Sequence, residues 1–390
     1  ANRTSGGGWR WCLVCDERGL SDALLNLFLF MPLGMALVTG GLRPGRAALI
    51  GMVASGVIEA LQLHLIPGRD ASLRDLVVNS LGTWLGAGLA GAAPRWYARS
   101  WTLARRASTG SLTAAWLVVL GSNLLTLPSL PRGQYFGQWN HDFGRGRWGR
   151  ATVLSVFVGS SAVGDRRLPN SREIRELLLS GAPIRVAGVA GDPVAFVTSF
   201  LSIGEERPRQ IVLLGPDRDD FVFRYRTLAT AIGLDQPTLR LRGALRSVNE
   251  GDTILVRASL LADDYCLVVN NMGGCGIGHS AAAGWQLLLA PGYTPAWLDS
   301  LAGAAWLAVL TIPFASWTRR PARLILGTII LATAPVAGAL VPGVLLPNPF
   351  EWLGLPLGAV LGYALGQRLS NLGQPPGRQP RPVFSKDLPR

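Results

Sequence analysis

Lysine is almost missing: Lys386 is the only one in 390 residues, and arginine carries nearly all the positive charge. Charge of either sign is scarce, at 16% of residues, where a soluble domain has about a quarter. Histidine is limited to His64, His141 and His279, which are scattered, and cysteine to four residues. GxSxG, P-loop and HExxH patterns are all lacking. Their absence removes the commonest signatures of serine hydrolases, nucleotide hydrolases and zinc peptidases. The opening "ANRTSGGGWRWCLVC" has no basic start, apolar middle and small-residue cleavage site, so it does not read as a signal peptide. The net charge of +13 raises nucleic acid as a partner. The arginines, however, flank apolar segments or spread across the middle region, and none form a cluster interleaved with aromatics. No nucleic acid is expected.

What is abundant is apolar length. Hydrophobic residues make up 49% of the chain, and its mean hydropathy is +0.29. Seven stretches approach the ~20 residues needed to cross a bilayer: 22–41, 46–66, 75–93, 112–130, 297–317, 323–342 and 350–369. A lipid bilayer is therefore the first expected partner. Basic residues near span ends favour the cytoplasm. "PRWYARSWTLARR" after the third span, "SWTRRPAR" after the fifth and the arginine-bearing tail after the seventh all fall on one side. The loop "VPGVLLPNP" has no basic residue and falls on the other. This count puts the first residues and the long middle region outside. It leads to the expectation that residues 1–19 are a truncated external segment preceded by another helix.

The middle region reads as an extracytoplasmic all-β sandwich. Short alternating runs replace the long ones: "FVFRYR" (221–226), "TLRLR" (238–242), "TILVRASL" (253–260), "CLVVN" (266–270) and "WQLLLA" (285–290). Turn signals separate them, as in a sandwich. One helix is predicted over "REIRELLL", with Asn170 and Glu173 as a capping box and Gly181 as its stop. Cys266 and Cys275 flank a hairpin and form either a disulfide or two separate thiols. The lone pair Cys12 and Cys15 fits a local disulfide or chance better than zinc. Asp263 and Asp264 read as a turn rather than a calcium site, which needs six to eight oxygens. No cofactor or metal is called for.

The apolar segments nevertheless carry a recurring polar set. Asp22 and Asn26 open the first span four residues apart. Glu59 and Gln62 end the second, three apart, and Asp75 and Asn79 open the third, four apart. Each pair shares a helix face. All three lie at the same expected membrane depth, with Arg69 in the loop joining two of the helices. Ionisable groups in a bilayer are costly and default to a functional role. The alternative is a structural network in which Arg69 satisfies Glu59 and Asp75 while "GTWLG" (Gly82, Gly86) allows close packing.

These residues carry a resemblance. "DALLNLFLFMPLG" followed by "SGVIEALQLHLIPGRDASLRDLVVNSLGTWLG" resembles the VanZ-like family of bacterial membrane proteins. The matching elements are Asn26, Phe30, Pro32, Gly34, Glu59, Gln62, Arg69, Asp75, Asn79 and Gly82. The sandwich resembles concanavalin-like (laminin-G-like) jelly rolls, on "YFGQWNHDFG", "FVFRYRTLATAIGLDQPTLRLRG" and "GWQLLLAP". Two departures are expected: residues 1–19 do not supply the helix the family has before Asp22, and the sandwich is an addition.

The fold expected is an α-helical transmembrane bundle plus an all-β sandwich of jelly-roll type. Its divisions are residues 1–19, VanZ-like helices 20–130, sandwich 131–291, C-terminal helices 292–370 and a cytoplasmic tail 371–390. The resemblance implies a multi-pass protein of the bacterial plasma membrane and a link to the cell envelope, the founding member being associated with teicoplanin resistance. The expected partner beyond lipid is a lipid-linked saccharide or an envelope polysaccharide. Glu59 and Asp75 are the candidate acid and base; Asn26, Gln62, Arg69 and Asn79 are the candidate ligand-binding residues. Two other readings remain: a non-catalytic envelope protein whose sandwich binds polysaccharide or protein, and a transporter. No inverted repeat supports the last.

Overall fold

The computed structural model describes residues 18–65, 73–97, 101–139, 151–205, 210–260, 265–289 and 292–372. Cys12, Cys15, Arg69, His141, Asp263 and Asp264 lie outside the described residues.

Four helices open the chain: α1 (Gly19–Thr39), α2 (Pro44–Leu65), α3 (Leu73–Tyr97) and α4 (Trp101–Leu124). The sandwich follows, with helices α5 (Ser171–Leu179) and α6 (Leu228–Ala231). The chain then returns to helices as α7 (Ala296–Ser316), α8 (Pro321–Gly338), α9 (Pro349–Trp352) and α10 (Gly354–Leu372). Among the described residues α1, α2, α3, α7 and α8 are long and apolar enough to cross a membrane. Large apolar side chains such as Leu29, Trp84, Ile325 and Val360 point outward from the helices. In water that would be unfavourable; against lipid it is what a spanning helix needs. This is a membrane protein.

The helices meet through glycine. A side chain at Gly34 of α1 would strike the α3 backbone at Thr83, and one at Gly82 or Gly86 of α3 would strike the α1 carbonyls of Leu27 or Met31. Lipid supplies little hydrophobic drive between helices, so close backbone approach is what holds them. The pairing read from "GTWLG" is present. The loop between α3 and α4 is shorter than the sequence reading had it. Arg105 and Arg106 lie in the first turns of α4 rather than in the loop, since nothing in "WTLARRAS" breaks a helix.

The sandwich has two six-stranded antiparallel sheets. Its strands are β1 (Tyr135–Gln138), β2 (Thr152–Val158), β3 (Ser161–Ala162), β4 (Arg166–Arg167), β5 (Ile184–Val189), β6 (Leu201–Glu205) and β7 (Gln210–Asp217). They continue as β8 (Asp220–Tyr225), β9 (Leu239–Leu241), β10 (Thr253–Leu260), β11 (Tyr265–Val269) and β12 (Met272–Ile277). One sheet runs β4-β1-β6-β7-β8-β9, the other β12-β11-β10-β5-β2-β3. Tyr135, Phe200, Phe221, Phe223, Ile254 and Leu267 fill the space between them. The alternation in "TILVRASL" sends Ile254, Val256 and Ala258 inward and Leu255 and Arg257 outward. Cys266 and Cys275 form a disulfide across β11 and β12.

Two local expectations are corrected. "WQLLLA" is not a strand: Ala283–Leu287 is a 3-10 helix. The stretch lies where sandwich meets bundle, with Gly284 against Ser122 and Trp306, so no neighbouring strand is there to pair with it. Asn170 does not cap α5 with its side chain. Its amide donates to the Ser161 hydroxyl instead, while Gly181, at φ 77°, ends the helix turn as expected.

The sandwich is seated on the bundle through β13 (His279–Ser280), which pairs in parallel with β14 (Val344–Leu345) in the loop before α9. His279 is fully buried there, its Nε2 3.4 Å from the Tyr225 hydroxyl, and burial pushes its pKa down to about 4. The sandwich also holds the start of α1. The amides of Leu20 and Ser21 donate to the Gly233 carbonyl, and Arg18 pairs with Asp235 at 3.4 Å.

Candidate functional site

The site forms where α1, α2 and α3 come together beneath the sandwich. α2 runs antiparallel to α3, so Gly51 lies against the Thr83 side chain and Ser55 lies beside Asn79. Continuing that register one turn brings Glu59 to the level of Asp75. Ser55, Glu59, Asn79 and Thr83 are all buried. The Asn79 amide donates to the Ser55 hydroxyl at 3.0 Å, and the Thr83 hydroxyl donates to the Asn79 backbone carbonyl at 3.0 Å. The Asn79 Oδ1 is buried and has no hydrogen-bond partner among the described residues.

A layer of charge lies nearer the helix ends. Arg74 is only 10% exposed at its side chain. Its Nε meets Asp75 Oδ1 at 3.1 Å, its Nη2 lies 3.8 Å from Asp22 Oδ2, and its Nη1 donates to the Gly19 carbonyl at 3.5 Å. One guanidinium thus clamps the start of α3 to the start of α1. A planar five-donor group suits that better than an ammonium.

The sequence-derived residues distribute as follows. Glu59 and Asn79 are buried between the helices; Asp75 is half-buried and paired with Arg74. Asn26 is half-buried on α1, one residue before the Leu27 carbonyl that meets Gly82. Gln62 is half-buried in the last turn of α2, and His64 is exposed, its Nδ1 2.8 Å from the Ala60 carbonyl. Arg74, Ser55 and Thr83 were missed. Arg74 looks like an ordinary span-flanking arginine, yet it immediately precedes Asp75. Ser55 and Thr83 each lie four residues from a residue already singled out, on the same helical face, and that spacing was the available signal.

Among the described residues no group of three or more His, Cys, Asp or Glu side chains is placed to hold a metal ion. The sandwich bears a cavity of about 250 Å³, lined by Pro193, Arg218, Asp219, Arg246 and Asn249 among others. Nearby, Arg218 lies 4.5 Å over the Tyr293 ring, and Arg240 bridges Asp217 and Asp220 at 2.6 and 3.1 Å.

One family model covers the whole of this polar cluster. Residues 4–93 match the VanZ/LLP1 family model. The chain therefore carries a VanZ-like domain, whose described part is α1, α2 and most of α3, and the buried polar cluster lies within it. No curated protein and no solved structure matches the chain.

Proposed function

We propose that this is a bacterial plasma-membrane protein whose VanZ-like pocket receives the headgroup of a lipid-linked envelope saccharide from outside the cell. The observation that carries the reading is the Asn79 Oδ1. A buried acceptor left unpaired costs about 1–3 kcal/mol, and a fold keeps such an atom more readily when a ligand completes it. Around it stand Ser55 and Thr83, with Glu59 and the Asp75–Arg74 pair toward the helix ends. Glu59 is the proposed acid or base, with Asp75, paired to Arg74, as its companion. Asn26, Gln62 and Arg69 are proposed to orient sugar and phosphate oxygens. The sandwich sits at the same end of the bundle, and its proposed likeness to concanavalin-like jelly rolls supports a role in presenting glycan. The resemblance to the VanZ-like family favours envelope glycan metabolism, with an altered response to teicoplanin as one expected phenotype.

The test compares lipid-linked saccharides by mass spectrometry in strains lacking the protein, expressing it, or expressing Glu59→Gln at matched membrane levels. A species that changes with wild type and not with Glu59→Gln supports proton transfer by Glu59. No change with wild type removes the processing role.

A second reading is a non-catalytic envelope protein. The Arg74 clamp favours it, because it satisfies Asp75 and Asp22 within the protein. On that reading deleting the sandwich abolishes the phenotype, whereas Glu59→Gln only lowers the amount of folded protein.

A further inference from the structure

The first and last helices of the chain repeat one another at fixed spacings. Asp22 and Asp299 stand 277 residues apart. So do the openings of α2 and α8, where Arg43-Pro44-x-Arg46 is answered by Arg320-Pro321-x-Arg323. α3 and α10 share the pattern Leu-Gly-x-x-Leu-Gly-Ala-x-Leu, at 81–89 and at 353–361.

Packing follows the same register. Gly82 and Gly86 lie against the carbonyls of Leu27 and Met31; Gly354 and Gly358 lie against those of Ala304 and Ala308. Leu27 and Ala304 are again 277 residues apart, as are Met31 and Ala308. The neighbouring helix agrees in part. Thr83 faces Gly51 of α2, and its counterpart Leu355 shares a buried cluster with Leu331 and Ala334 of α8. The units differ in that α8 packs chiefly along α4, and less against α10 than α2 does against α3.

On this register Glu351 is the counterpart of Asn79. Glu351 is 3% exposed. Its Oε2 accepts from the Ser280 hydroxyl at 2.6 Å and from the Asn348 backbone N–H at 2.8 Å. The two aspartates correspond as well: Asp22 meets Arg74, and Asp299 meets Arg242 at 2.6 Å. Arg242 directly follows β9 of the sandwich, and Ser280 is in β13, the strand through which the sandwich is seated on the bundle. In the last unit the sandwich supplies the hydroxyl donor that the outer acceptor needs. In the first unit the equivalent acceptor, Asn79 Oδ1, is buried with no partner among the described residues.

We propose that the membrane part is a tandem duplication of one three-helix unit, in which the sandwich fills in the second unit the position that a ligand's hydroxyl group fills in the first. The inference rests on the headgroup reading above and narrows it. Asn79 Oδ1 is an acceptor and needs a donor, which a sugar hydroxyl provides and an ionised phosphate does not. The duplication is of the parallel kind, whose repeats keep the same orientation in the membrane.

The experiment uses the purified full chain in detergent and native mass spectrometry. The probes are polyprenyl-phosphate-linked glucose and the same polyprenyl phosphate without sugar. Wild type is expected to prefer the glucose-bearing lipid at least ten-fold, and Asn79→Leu to lose that preference. Asn79→Glu installs the residue of the second unit and is expected to keep the preference within about three-fold. If wild type shows the preference and Asn79→Glu is as defective as Asn79→Leu, the equivalence of the units is overturned and the headgroup reading stands. If wild type shows no preference, the headgroup reading fails and the inference with it. If Asn79→Glu does not fold, Ser280→Ala decides: a fall of several degrees in melting temperature supports Ser280 as the occupant of the second site, and an unchanged temperature overturns it.

Discussion

Replacing Asn79 by leucine separates a binding residue from a structural one, because the two roles give opposite signs in stability. The substitution keeps the number and branching of side-chain heavy atoms, so no cavity is left. It removes the bond from Asn79 to Ser55. Side-chain hydrogen bonds between membrane helices average about 0.6 kcal/mol, and Ser55 can turn its hydroxyl to a carbonyl one helical turn back. Against that small loss stands relief of the buried, unpaired Oδ1, worth about 1–3 kcal/mol. The net expectation is a protein as stable as wild type or more stable by about 1–2 kcal/mol, and one that no longer retains its ligand. The assay is thermal unfolding of wild type and Asn79→Leu purified without added lipid, at one detergent concentration. A midpoint that is unchanged or raised by a few degrees agrees with a binding role. A fall corresponding to about 2 kcal/mol or more would show that Asn79 ties α2 to α3, and would refute the reasoning.

Other outcomes follow from single features. Burial holds His279 neutral with its pKa down at about 4, against about 6.5 in the unfolded chain. The unfolded state therefore binds the extra proton first. Its contribution is complete above pH ~6.5 and is lost as pH falls toward 4, by about 3 kcal/mol in all. His279→Phe should flatten that part of a melting-temperature profile against pH. Gly86→Leu drives a side chain into the Met31 carbonyl; forcing α1 from α3 should cost about 3 kcal/mol, read as loss of the monodisperse peak in size-exclusion chromatography. Arg74→Leu leaves Asp75 and Asp22 without their shared cation; it should destabilise by about 1–3 kcal/mol, and Arg74→Lys should recover only part of this in a thermal melt. Reducing Cys266–Cys275, which closes a loop of sequence separation 9, should lower sandwich stability by about 2–3 kcal/mol in denaturant unfolding.

Much of the architecture was legible because each part has its own period. Twenty-residue apolar runs can satisfy their backbone in lipid only as helices, and "TILVRASL" can bury one face only as a strand. The polar cluster was partly legible for the same reason: Glu59, Asp75 and Asn79 are conspicuous where polarity is expensive. Arg74 was not, since an arginine at a span end is common and its choice of Asp75 and Asp22 depends on how α1 and α3 pack. Asn170 misled because capping competes with tertiary bonds, here to Ser161. "WQLLLA" misled because a short apolar run takes the form its neighbours allow, and no strand lies beside it. The repeat hid in plain view. Its identities are split between two offsets, and Asn79 and Glu351 differ in type while sharing a place.

The measurement that bears most directly on the central claim is an analysis of the lipids that co-purify with the protein. Wild type and Asn79→Leu would be extracted from the same bacterial host at equal yield and their bound lipids identified by mass spectrometry. The account expects a saccharide-bearing polyprenyl lipid with wild type, and its loss from Asn79→Leu while bulk phospholipids stay the same. Identical profiles containing bulk phospholipids alone would contradict the claim that the VanZ-like pocket receives a lipid-linked saccharide.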